Sequence, residues 1–200
     1  MENYITTSEA EKILESLGNV SKHPERDILL TDVLWSTGVR VGEAIVLKLK
    51  NINDDSILFR NLKQTDPDAT KLVSVPSGIC WWIKDFCRRN EITDPESFIF
   101  KANQRHKPHV SAWYVWWILD KASSEAGIYR IGKKNPKTGG RLKGIYPHLL
   151  RHSFAKRAIS ETEDIDIVQA QLGIVSSKIM QKYVEPGKTD QLRLENKGKL

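Results

Sequence analysis

His148-Leu149-Leu150-Arg151-His152-Ser153-Phe154-Ala155 carries two patterns at once. Leu149, Leu150, Phe154 and then Ala158 recur at helical spacing as an inward stripe, which predicts a helix from His148 to about Glu161. On that helix His148 and Arg151 lie three apart and project together. Such a pair suits one phosphate: the guanidinium by charged hydrogen bonds, the imidazole by donating or accepting a proton. His152 stands four from His148. A zinc pair needs a further ligand, and no glutamate lies between the two in the metalloprotease pattern, so no metal is expected. His152 reads as a helix residue making a hydrogen bond.

Toward the C-terminus, Ile165 to Leu172 reads as a short helix ended by Gly173. A last helix is predicted from Ser176 or Ser177 to Tyr183, before Pro186 and Gly187, and the tail beyond is polar. A lone tyrosine is usually amphipathic packing. Its phenol, with a pKa of about 10, is a weak nucleophile unless its surroundings activate it. Two arginines beside a phosphodiester would supply that help.

Toward the N-terminus, the stretch between Tyr129 and Tyr146 holds Arg130, Lys133, Lys134, Lys137, Arg141 and Lys143 with no acid among them. Gly132, Pro136, Gly139, Gly140 and Gly144 interrupt regular structure, so an exposed loop is expected, one able to contact phosphates. Ser111 to Ala126 reads as a helix with Trp113, Trp116 and Trp117 on one side. We expect a packed aromatic core or domain contact there, with a base-stacking platform as the alternative. Ser77 to Asn90 is a further helix, carrying Cys80 and Cys87. Two thiols make neither a disulfide framework nor a zinc site, and they read as buried small residues in a reducing compartment.

Ile57 to Leu62 and Leu72 to Val75 read as strands around the turn residues Asp66, Pro67 and Asp68, giving a hairpin or two neighbouring edge strands. Before them, Thr37-Gly38-Val39-Arg40-Val41-Gly42-Glu43 sets an arginine just past a glycine turn, at the start of a short helix to about Leu47. Arg40 is open to two readings: a surface arginine paired with Glu43, or an anion ligand near the free N–H groups of a helix start. Pro24 opens the preceding helix, in which Ile28, Leu29, Val33 and Leu34 share a face, and Gly38 ends it. Ser8 and Glu11 suggest a capping box for a first helix, stopped by Gly18.

The 200 residues carry a net charge of +6, which fits a nucleic-acid partner without demanding one. No apolar run approaches the roughly 18 residues of a membrane span. Met1 to Glu11 is polar and acidic, unlike a signal peptide. We therefore expect no membrane partner, a cytoplasmic location, and a mostly α chain with a small antiparallel sheet (α+β).

The order and wording of these pieces resemble the catalytic domain of the tyrosine recombinase, or phage-type integrase, family. Thr37 to Glu43, followed by Ala44, Leu47 and Leu49, resembles the family's first box. His148 to Ala155 follows the second. Leu172-Gly173, then Ser176-Ser177, then Tyr183, resembles the nucleophile box. The resemblance runs from about Ile28 to Val184. It implies a site-specific recombinase that cleaves and rejoins duplex DNA through a 3′-phosphotyrosyl intermediate, without cofactor or metal. It carries over Arg40 and Arg151 as phosphate-clamping arginines, His148 as general base or charge stabiliser, and Tyr183 as nucleophile. Lys63, just after the first strand, is the proton donor to the leaving oxygen, with Lys71 at the other end of the turn as its rival. Glu43 orients its neighbours. The basic stretch implies DNA contact. A catalytic body of 1–184 with a tail of 185–200, docked on a neighbour or disordered, is expected, as is self-association on DNA as a tetramer.

The sequence departs from the pattern in one place and falls short of it in another. The nucleophile box usually reads Leu-Gly-His, and here the third residue is Ile174, which cannot donate a hydrogen bond to phosphate. That departure keeps open a catalytically weak or inactive DNA-binding member of the fold. A type IB topoisomerase-like strand relaxation is the other alternative. The residues before Pro24 leave no room for the separate helical domain that commonly precedes the catalytic one, so the chain reads as an excised fragment or a minimal protein.

Overall fold

A computed structural model describes residues 4–62, 69–103, 106–131, 142–162 and 164–173, with residues 131, 142 and 143 described by backbone alone. The first helix, α1 (Thr7–Val20), is capped by Thr6: its hydroxyl accepts the Glu9 N–H at 3.2 Å, and Glu9 Oε2 accepts the Thr6 N–H at 2.9 Å. This is the expected capping box two residues earlier than Ser8 and Glu11, because Thr6 has the extended backbone that a cap requires and Ser8 is already helical. Gly18 does not stop the helix. Leu17 is fully buried, and the turn that holds it continues to Val20, which packs on the core.

The second helix, α2 (Pro24–Thr37), begins on proline and ends where Gly38, at φ 63°, donates its N–H to the Leu34 carbonyl at 3.0 Å. Its inner residues Leu29, Leu30, Val33 and Leu34 lie at the centre of the main core. The short α3 (Val41–Ile45) follows directly. Strands β1 (Ser56–Arg60) and β2 (Thr70–Ser74) pair antiparallel, in register from Ser56 opposite Ser74 to Arg60 opposite Thr70, as the hairpin reading expects. Helix α4 (Ser77–Arg89) buries Ile79, Cys80, Ile83, Phe86 and Cys87. Both thiols are free, and burial pushes Cys87 up to about 11, which leaves it inert.

Helix α5 (Ala112–Glu125), capped by Ser111, packs against α1. Its inner stripe is Val115, Ile118, Leu119 and Ala122. Trp113, Trp116 and Trp117 lie on the neighbouring face and are 69%, 46% and 39% exposed, so the expected aromatic core is not formed. The aliphatic residues compete for the same helix, and they alone fit the close approach of α1.

The ends of the basic stretch form a two-residue antiparallel pair, β3 (Arg130–Ile131) with β4 (Leu142–Lys143), where an unbroken loop was expected. Helix α6 (Pro147–Thr162) then runs beside α2 and buries Leu149, Leu150, Phe154 and Ala158, as predicted. Helix α7 (Ile165–Leu172), capped by Asp164, closes a second apolar cluster with α6, made of Phe154, Ala155, Ala158, Ile159, Ile165, Val168 and Leu172. At the other edge of α6 the N-terminal segment is docked. The Ile5 N–H donates to Ser153 Oγ at 2.8 Å, and Lys156 Nζ lies 3.8 Å from the centre of the Tyr4 ring. No helix among the described residues is long and apolar enough to cross a membrane. The expected boundary between a body of 1–184 and a tail of 185–200 lies outside the described residues.

Candidate active site

Four segments converge where α2 ends. Gly38 turns the chain in the left-handed region, which only glycine enters without strain. Space enforces the same choice, since a Cβ at Gly38 would overlap the Phe154 ring. The turn delivers Arg40 to the cap position of α3. There Glu43, one turn on, accepts the Arg40 N–H at 3.0 Å and the Arg40 Nη1 at 2.9 Å on its two carboxylate oxygens. From β2, Lys71 Nζ reaches the same carboxylate at 2.8 Å.

Arg151 enters from the second turn of α6 and is 3% exposed. Its Nη1 donates to the Gly38 carbonyl at 2.8 Å and its Nη2 to the Leu172 carbonyl at 2.9 Å. Lys71 Nζ also lies 3.4 Å from the Leu172 oxygen. Arg40, Glu43, Lys71 and Arg151 therefore form one network, joined through one carboxylate and the last carbonyl of α7.

Two cationic groups pair with the one carboxylate of this cluster, and a third, Arg151, lies near Lys71. Burial alone would raise Glu43, but the hydrogen bond and charge of Lys71, with the donors of Arg40, hold its carboxyl below the usual range. Burial lowers Lys71, Glu43 opposes that, and the charges of Arg151 and Arg40 add to the lowering. The local excess of positive charge, partly removed from water, is the electrostatic profile of an anion site. His148 lies on the exposed side of the first turn of α6, where the helix N-terminus also favours an anion. His152 is half-buried, and burial, then the charges of His148 and Lys156, push its pKa down.

The structure thus brings together Arg40, Glu43 and Arg151, with Lys71 as the lysine among them. Lys63, Ile174 and Tyr183 lie outside the described residues, as do Lys133, Lys134, Lys137 and Arg141, and Lys143 is placed by its backbone in β4. Arg130 departs from the reading of it as a DNA contact. Its Nε and Nη2 donate to the Tyr4 carbonyl at 3.0 and 2.6 Å, and Nη2 also meets Glu9 at 2.5 Å. A guanidinium held by a carbonyl and a carboxylate of its own chain is a structural anchor. The backbone acceptors of the site, Gly38 and Leu172, escaped the sequence reading. Carbonyl directions leave no mark on residue identity beyond the glycine that permits the first of them. At the other end of α2, Lys22, His23, Arg26, Lys107 and Lys121 surround an apolar hollow beside Tyr114 and Trp117.

The phage integrase family matches residues 3–189 of this chain. Tyrosine recombinase XerA of Pyrococcus furiosus is 29% identical over 179 residues, covering 90% of this chain and 56% of the relative. Tyrosine recombinase XerD of Neisseria meningitidis serogroup B is 24% identical over 186 residues, covering 90% and 57%. The chain spans a little over half the length of these curated relatives. Among solved structures, the crystal structure of XerA recombinase aligns with a TM-score of 0.71 at 21% identity, over 98% of this chain and 65% of that one. The XerH site-specific recombinase, bound to its difH substrate before cleavage, aligns with a TM-score of 0.70 at 23% identity, over 93% and 51%. A mostly helical body with a small antiparallel sheet, an arginine on each side of a buried network and a family match over nearly its whole length lead to one conclusion: the chain belongs to the phage integrase, or tyrosine recombinase, family and has the fold of its catalytic domain.

Proposed function

We propose that the chain cleaves and rejoins duplex DNA as a site-specific recombinase, with Tyr183 as nucleophile. The observation that supports this most is the joining of Arg40 and Arg151, far apart in sequence, through Glu43, Lys71 and the Leu172 carbonyl. The Tyr183 oxygen attacks phosphorus, the bond from phosphorus to the 5′ oxygen breaks, and a 3′-phosphotyrosyl link forms. His148 takes the phenolic proton, and Lys63 gives a proton to the departing 5′ oxygen. Arg40 and Arg151 stabilise the charge on the nonbridging oxygens. The 5′ hydroxyl of a second strand reverses the step, so the covalent intermediate conserves the bond energy. Duplex contact extends over the lysines beyond β3, and exchange takes place in a tetramer on paired sites.

The test starts from a duplex selected for binding out of a random-sequence pool and nicked so that the cleaved end diffuses away. The protein is expected to form a denaturation-resistant adduct, with the nucleotide on the peptide that holds Tyr183. An adduct mapped to any other residue overturns the assignment. The absence of any adduct, with tight binding retained, favours the DNA-binding member without catalysis that Ile174 suggests. Ile174→His restores the donor usual in the family and is expected to keep cleavage or raise it, by up to about a hundredfold. A large loss in single-turnover cleavage would show that the site is organised differently.

A further inference from the structure

Lys71 stands in the site with its ammonium engaged by the protein on two sides. Its side chain is 9% exposed. Its ammonium is directed at the Glu43 carboxylate and the Leu172 carbonyl, both parts of the protein. Its stem lies over Gly173, where an added Cβ would meet Lys71 Cδ at 3.5 Å and Nζ at 3.6 Å. Glu43 in turn fixes both the backbone and the guanidinium of Arg40. Leu172 and Gly173 are the last described residues before the segment that leads to Tyr183. One ammonium therefore bridges the residue that orients one phosphate ligand and the point where the chain departs toward the nucleophile.

We infer that Lys71 is a positioning residue, and not the proton donor: it holds Glu43 on Arg40 and the end of α7 on Arg151, so that clamp and nucleophile segment are set together. The inference rests on the recombinase reading above, with Lys63 as the acid. Burial and the neighbouring arginines work against the Lys71 charge, and the Glu43 carboxylate at 2.8 Å opposes them.

The two roles separate on the adduct-forming duplex when sulfur replaces the bridging 5′ oxygen at the scissile phosphate, because a thiolate leaves without a proton. Lys63→Ala is expected to slow cleavage of the oxygen duplex by about a hundredfold and to recover on the sulfur duplex. Lys71→Met is expected to slow both duplexes by one common factor, on the order of tenfold or more. If Lys71→Met melts early, Lys71→Arg, which keeps a cationic donor near Glu43, takes its place with the same expected lack of sulfur recovery. Recovery of a Lys71 variant on sulfur makes Lys71 the acid and overturns the inference, as do unchanged rates on both duplexes. A wild-type protein that forms no adduct with either duplex overturns the recombinase reading itself.

Discussion

Arg151→Lys is expected to lower single-turnover DNA cleavage by about a thousandfold, with DNA binding weakened far less. The reason is geometric. The guanidinium holds the Gly38 and Leu172 carbonyls with different nitrogens while almost wholly buried. A planar fork of five donors does this with one rigid group. An ammonium on a flexible stem satisfies one carbonyl at a time, leaves the other short of a partner, and aims a point charge where a fork is needed. Arg151→Ala is expected to be worse for the fold, because two buried carbonyls lose charged donors. Each such loss is worth about 1.5–3 kcal/mol, so a destabilisation of about 3–5 kcal/mol should appear in denaturant unfolding. Arg151→Lys within about tenfold of wild-type cleavage would remove the arginine from the chemistry.

Gly38→Ala is expected to be strongly damaging for a single methyl. An alanine at φ 63° costs about 1–2 kcal/mol in backbone strain. Its Cβ would also overlap the Phe154 ring and crowd Leu172, adding about 1–3 kcal/mol of overpacking. Together these should lower the melting temperature by about 10 °C in a chain of this size. Cleavage should fall further than stability explains, since the displaced carbonyl is an Arg151 ligand. Gly18→Ala is the matched control. That glycine lies within α1 with nothing near its added Cβ, so the same change there should stabilise by up to about 1 kcal/mol. Equal effects at the two positions, read in thermal melts, would refute the packing argument.

Much of the fold was legible because its signals are local. Pro24 and Gly38 bracket α2, Gly173 closes α7, and the paired leucines of α6 mark its buried side. The boxes around Arg40 and Arg151 were legible because a glycine turn and a helical spacing of three fix where those side chains go. What escaped depends on contacts made across the chain. Trp113, Trp116 and Trp117 have the hydrophobicity of core residues, but α5 has room for one inner stripe, and α1 selects the slimmer aliphatic one. Arg130 has the composition of a phosphate contact, and only the return of the N-terminal segment reveals its partners, Tyr4 and Glu9. Lys71 could be named as a rival from its place after the turn. Its burial between Glu43 and Leu172 follows from strand register and the docking of α7.

The seating of residues 4–6 has a practical side. The chain enters the body one hydrogen bond from Ser153, two positions past Arg151 on the same helix, while Arg130 grips the Tyr4 carbonyl from the opposite flank. A displacement of this seat is therefore passed to the arginine-bearing rod through Ser153 and to β3 through Arg130. A reporter is better attached away from this seat, where it does not load the helix that carries Arg151.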